Sequence, residues 1–193
     1  SLDSNFKSKV MNALFAAGTL RIYKKNPVLA KTSAAKEELR QLGVPHAVIA
    51  PVGLDNAVLK KNIPADEKMR LRKEHGFEAD DVILCNVSRL SWEKRPLELI
   101  DLFLQVKGKK KFKLIIVGNG PLEEELNEKI RKNGLEKEVK IYPNVPYEKM
   151  WEIYEMSDYY LNMNKGEIFG MAIMEAVYYK TSVAAIRALG PSV

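Results

Sequence analysis

From Asp81 onward, short apolar runs alternate with stretches of helical spacing, and this alternation constrains the fold more than any single motif. Val82–Val87 and Phe112–Val117 are rich in β-branched residues and end in turn residues, which predicts buried strands. Pro96–Val106 follows the first, with Leu97, Ile100 and Leu104 on one helical face. A helix of Glu and Lys follows the second and ends at Asn133-Gly134. Further strands are predicted over 139–142, 159–163 and 182–186, with helices over 147–156 and 169–179 between them. Such an order calls for a parallel sheet wound with helices, joined by right-handed crossovers. Ligands of such sheets bind outside the carboxyl ends of the strands.

The first part of the chain is less regular. Residues 4–25 read as an amphipathic helix, with Phe6, Val10, Leu14, Ala17 and Arg21 at helical spacing and Met11, Phe15 and Ile22 widening the stripe. That stripe is expected either to pack on the rest of the body or to drive self-association. Pro27 ends the helix. A strand at 28–30, a helix at 34–42 capped by Thr32 or Ser33, and a strand at 47–50 follow. Pro51 to Asp55 reads as a linker, and Pro64-Ala65-Asp66 opens a charged helix that Gly76 closes. The expected division is therefore residues 1–52 and residues 53–193.

Composition narrows the functional classes. With one cysteine, Cys85, in an apolar run, the 193 residues hold no disulfide framework and no cysteine-rich metal site. His46 and His75 lack ligand spacing. No apolar run approaches the roughly 20 residues that span a bilayer, and no signal-peptide pattern opens the chain. A cytoplasmic location is expected, extending to the inner face of a membrane. The net charge of +6 suits anionic ligands or a membrane surface, but its spread along the chain argues against nucleic acid. Trp92 and Trp151 read as core or partner-surface residues.

Chemistry concentrates between Gly166 and Ala176. Glu167 and Glu175 stand seven residues apart, the second inside a helix apolar all round. Such a helix is normally buried, so an ionised Glu175 needs partners. The commoner explanation of a lone Glu there is a structural ion pair; the alternative is a ligand. Phe169-Gly170 would place backbone N–H groups at the helix start, a seat for an anion. Two carboxylates for hydroxyls beside a helix start for phosphate suit a nucleotide sugar.

The strand order sorts the remaining candidates. Arg89 and Lys94 follow one strand, Gly118 to Pro121 the next, Asn144-Val145-Pro146 the third and Glu167 the fourth. All fall on one edge of one sheet. Arg89 and Lys94 can clamp a diphosphate, stabilising charge that builds on a departing group; taken singly, either is more often solvated. Gly118-Asn119-Gly120 is a tight turn that lets a ligand approach the backbone, without the dinucleotide fingerprint spacing. Val145-Pro146 offers an apolar edge for a nucleobase, or is a plain strand-to-helix turn.

Three segments carry a family resemblance: Asn86 to Lys94, Ile116 to Leu122, and Gly166 to Ala176. Together they resemble the donor domain of group 1 (family 4) retaining glycosyltransferases of the GT-B fold, over about Val28 to Pro191. The resemblance implies an α/β fold, a Rossmann-like parallel sheet with helices on both faces, preceded by a short αβα segment from the first domain. It implies hexosyl-type transfer from a nucleoside diphosphate sugar with retention, and no metal or other cofactor. Arg89, Lys94 and Glu167 would form the catalytic set, the two cations on the diphosphate and Glu167 on the sugar. Gly118, Asn119, Val145, Phe169, Gly170, Met171 and Glu175 would bind the donor, with Glu175 on the ribose hydroxyls and Val145 beside the base. Ser88 stands where the family usually has Gly, Asn162-Met163-Asn164 replaces a Pro-Ser ending, and Tyr178-Tyr179 replaces small residues. The acceptor, a sugar, lipid or glycan, would be bound by the first domain, expected to lie largely outside this stretch. The stretch alone is then expected to bind donor without transferring it. A nucleotide- or nucleotide-sugar-binding module without transfer activity is the alternative.

Overall fold

The computed structural model describes residues 15–50, 52–55, 57, 59–164 and 170–186. The chain divides into two compact units, Ser1–Gly53 and Leu54–Val193.

In the first unit, residues 15–25 are helical (α1). Strand β1 (Leu29–Ala30), helix α2 (Ser33–Gln41) and strand β2 (Val48–Ile49) follow, with β1 and β2 parallel. Thr32 caps α2 by accepting the Ala35 N–H at 3.1 Å. Val28, Val44 and Ala47 form a small core with Leu20 and Leu39. The His46 ring clasps the end of α1, its Nε2 within 3.1 and 3.0 Å of the Tyr23 and Asn26 carbonyls. Of the apolar stripe expected on the first helix, Phe15 and Ile22 are exposed; Phe6, Val10 and Leu14 lie outside the described residues.

The second unit comprises α3 (Glu67–Glu74), β3 (Val82–Val87), α4 (Pro96–Val106), β4 (Phe112–Val117), α5 (Glu123–Lys132), β5 (Val139–Tyr142), α6 (Met150–Met156), β6 (Tyr159–Asn162), α7 (Met171–Tyr178) and β7 (Ser182–Ala185). Its strands form a parallel sheet in the order β5-β4-β3-β6-β7. The chain starts in the middle, runs to one edge and then crosses to the other, so the topological switch falls between β3 and β6. Alternation along each strand feeds two cores. Ile83, Cys85, Ile115, Val117 and Tyr160 meet Leu71 of α3, Ile153 and Tyr154 of α6 and Ala176 of α7. Leu84, Leu114 and Ile116 meet Leu99, Ile100 and Phe103 of α4 and Leu126 and Ile130 of α5 on the other face. Each such large apolar side chain contributes about 2–3 kcal/mol by leaving water. Burial pushes the Cys85 thiol up to about 12, which makes it an inert core residue.

One expectation needs adjustment, and the tryptophans and His75 find their places. The stretch 147–156 is not one helix: a 3-10 turn, Tyr147–Lys149, precedes α6, closed by the Lys149 N–H on the Pro146 carbonyl at 2.9 Å. Of the two tryptophans read as core or partner-surface residues, Trp92 is 68% exposed, in the 3-10 turn Trp92–Lys94, and Trp151 packs against the core with the Lys60 ammonium 5.5 Å from its ring centre. His75 lies half-buried in the turn after α3, its Nδ1 2.9 Å from the Tyr142 hydroxyl.

Candidate functional site

A cleft of ≈ 500 Å³ opens at the carboxyl edge of the sheet, at the topological switch. Val87, Ser88 and Arg89 enter it from the end of β3, Val117, Gly118 and Asn119 from β4, and Pro143, Asn144 and Val145 from β5. Tyr147 and Met150 close one side, and Met171, Ala172 and Glu175 of α7 form the remaining wall. Residues from five places in the sequence thus converge.

The first wall is held together by backbone. The Leu90 N–H donates to the Asn119 carbonyl at 2.8 Å, and the Leu122 N–H returns to the Leu90 carbonyl at 3.0 Å. The glycines of Gly118-Asn119-Gly120 serve this seam. Gly118 has φ 136°, and a Cβ there would lie 2.0 Å from the Ser88 carbonyl oxygen; one on Gly120 would lie 2.4 Å from that of Leu90. The close approach expected for a ligand is made instead by the chain's own 88–90 loop, although Gly118 still lines the cleft. The Asn119 amide braces the third loop, donating to the Pro143 carbonyl at 3.2 Å and to Asn144 Oδ1 at 2.9 Å.

Arg89 is exposed on this wall, and among the described residues no hydrogen bond engages its guanidinium. Lys94 sits further along the same loop, half-buried in the 3-10 turn, and does not line the cleft. Between them, the Glu93 carboxyl is held below its usual range by the Ser91 hydroxyl at 2.7 Å, by its own backbone amide and by the charges of Arg89 and Lys94.

The second wall is built from side chains. Gly170, in the left-handed region at φ 67°, starts α7, whose first turn lines the cleft at Met171 and Ala172. The first turn of a helix leaves N–H groups without intrahelical acceptors, so this end favours anions. Glu175, one turn further, is only 7% exposed. Tyr154 Oη donates to its Oε2 at 2.7 Å and Tyr147 Oη to its Oε1 at 3.1 Å. Among the described residues no Lys or Arg pairs with Glu175, so the structural ion pair considered from sequence is not formed there. Glu167 and Phe169 lie outside the described residues.

Of the residues singled out from sequence, the structure brings Arg89, Gly118, Asn119, Val145, Met171 and Glu175 together around the cleft. Sequence reasoning missed Tyr147 and Tyr154. Their seven-residue spacing, two helical turns, was the available signal. Among the described residues no group of three His, Cys, Asp or Glu side chains could hold a metal ion, and no helix is long and apolar enough to cross a membrane.

A larger groove, ≈ 620 Å³, lies towards the amino edge, between α4 and β6, with Leu102, Phe103, Tyr159 and Leu161 in its lining. Its rim charges Arg72 and Asp158 already pair at 2.7 Å. The smaller cleft, lined by a guanidinium that no hydrogen bond engages among the described residues and by a buried carboxylate, offers more to a polar ligand.

Sheet order defines a Rossmann-like α/β domain with a cleft at the switch point. Residues 67–193 match the glycosyl transferases group 1, and the chain belongs to that family. Among curated proteins it is 24% identical over 139 residues to an alpha-monoglucosyldiacylglycerol synthase of Streptococcus pneumoniae, covering 71% of this chain and 32% of that protein. It is 23% identical over 174 residues to an uncharacterized glycosyltransferase of Methanocaldococcus jannaschii, covering 89% and 45%. The chain therefore spans less than half of the curated relatives it matches. Among solved structures, Anabaena HepE in complex with UDP-glucose superposes with a TM-score of 0.71 at 25% identity, covering 84% of this chain and 45% of that one. The architecture is that of the GT-B glycosyltransferases.

Proposed function

We propose that this chain carries the donor-binding part of a retaining, hexosyl-type glycosyltransferase that takes its sugar from a nucleoside diphosphate. The observation that carries the reading is the pairing of opposite chemistries across one cleft: the exposed Arg89 guanidinium on one wall and, on the other, the buried Glu175 carboxylate, which no cation pairs among the described residues. Arg89, with the first turn of α7, faces the diphosphate and stabilises the charge that builds on it as the sugar departs. Lys94 adds its charge from the same loop. Glu175 accepts hydrogen bonds from the ribose hydroxyls, and Val145 borders the base. Glu167 and the backbone at Phe169 attend the sugar. No metal is required in this scheme, since the loop cations and the helix end meet the diphosphate. Residues 1–52 close the acceptor domain in this reading, and residues 53–193 hold the donor. The solved HepE complexes with UDP and with UDP-glucose support a uridine nucleotide as first probe.

Titration calorimetry with UDP and with uridine tests the reading. UDP should bind more tightly than uridine. Arg89→Ala should weaken UDP roughly tenfold and leave uridine unchanged, since only the diphosphate carries the charge it meets. Equal binding of the two, unmoved by the substitution, contradicts the reading.

A further inference from the structure

The way Glu175 is held has a consequence for selectivity. A carboxylate has about four acceptor positions, two per oxygen. Tyr154 occupies one on Oε2 and Tyr147 one on Oε1. Among the described residues one position on each oxygen is left, and the two oxygens form a pair of acceptors at the cleft wall. A vicinal diol offers two hydroxyl donors at matching spacing, so such a carboxylate receives both at once. A carboxylate free to rotate would have to be ordered on binding, at an entropic cost.

The two tyrosines are well placed to fix it. Tyr147 stands in the 3-10 turn and Tyr154 two helical turns later in α6, so both reach α7 from one face. Tyr154 is 1% exposed and braced from behind: its ring stacks on Tyr179, with centroids 5.9 Å apart and planes 8° off parallel. The Tyr179 hydroxyl in turn accepts the Lys60 N–H at 3.0 Å. Burial, and then the Glu175 charge beside them, pushes both hydroxyls above the usual tyrosine range, so they remain donors.

We infer that Tyr147 and Tyr154 are positioning residues that fix Glu175 as a two-point acceptor, and that they thereby set a preference for a nucleoside diphosphate with an intact 2′,3′-diol over one without it. The inference rests on the donor-site reading above. Neither tyrosine needs to touch the ligand.

Titration of this chain with UDP and with 2′,3′-dideoxyuridine diphosphate separates the possibilities. The unaltered protein should prefer UDP by about tenfold. Tyr154→Phe and Tyr147→Phe should each weaken UDP roughly three- to tenfold, leave the dideoxy compound unchanged, and so narrow the preference. A purely structural role would lower the melting temperature without moving the ratio of the two affinities; an unchanged ratio in both variants, with UDP still bound, overturns the inference alone. If Tyr154→Phe fails to fold, Tyr147→Phe decides, because Tyr147 is 48% exposed at the cleft rim. Failure of the unaltered protein to bind either nucleotide sinks the donor-site reading and this inference with it. Binding of both with no preference removes the diol role of Glu175, and the inference falls while the diphosphate site stands.

Discussion

Two carboxylates of the second unit, Asp158 and Glu175, sit at opposite edges of the same sheet and are satisfied in opposite ways. Asp158, just before β6, receives Lys68 Nζ at 2.8 Å, Arg72 Nη2 at 2.7 Å and the Ile83 N–H at 2.8 Å. Its side chain is still 28% exposed. Glu175 is more deeply buried yet receives two neutral hydroxyls only, among the described residues. An ionised group taken from water needs opposite charge or several hydrogen bonds. Asp158 has both, and its charge is spent inside the protein, fastening α3 to the sheet. Glu175 has less compensation where desolvation is worse. What it keeps, among the described residues, is acceptor capacity on the wall of a cleft, which the proposed donor site would use.

The difference predicts unequal responses to the same chemical change. Asp158→Asn should be the most damaging. It leaves Arg72, itself 5% exposed, without its counter-charge, and should cost about 3 kcal/mol in urea unfolding. Nucleotide affinity of the folded fraction should not change. Glu175→Gln should invert that pattern. The amide keeps the shape and can still pair with both tyrosine hydroxyls, so the stability loss should stay near 1 kcal/mol, while UDP affinity falls roughly tenfold. Equal destabilisation by the two substitutions would erase the contrast.

Acid unfolding gives a smaller, graded version. Burial alone would raise the Asp158 carboxyl, but the Lys68 ammonium, the Ile83 amide and the Arg72 guanidinium outweigh it and hold it below the ordinary 3.8. A folded value below the unfolded one means that the stabilisation is complete above 3.8 and is lost as pH falls through the lowered folded value. Stability should decline below about pH 4, and more shallowly in Asp158→Asn, which lacks this titration. Identical acid profiles would show that the ion pairs around Asp158 contribute nothing.

Legibility from sequence followed the same division between what is local and what is not. Val82–Val87, Pro96–Val106 and Phe112–Val117 were readable to the residue, because apolar runs of the right period ended at Gly, Pro or charged clusters. The edge on which Arg89, Gly118, Asn119 and Val145 meet was readable too, since it follows from strand order alone; Lys94, placed there as well, lies outside the cleft lining, and Glu167 lies outside the described residues. The roles of the glycines were not. Gly118 is glycine because the 88–90 loop crosses it, and that crossing exists only once β3 and β4 are paired in register. The partners of Glu175 were equally out of reach. Which of many residues faces a helical carboxylate depends on how α6 packs against α7, and nothing local to either helix encodes it.

The central claim is that the smaller cleft at the carboxyl edge, and not the larger groove beside α4, takes the nucleotide. Amide chemical-shift mapping during titration with UDP tests this most directly. The account predicts perturbations at Arg89, Gly118, Asn119, Val145, Met171, Ala172 and Glu175, with Leu102, Phe103, Tyr159 and Leu161 unmoved. Shifts that gather instead around Leu102 and Phe103, or no shifts at all at millimolar UDP, would contradict it.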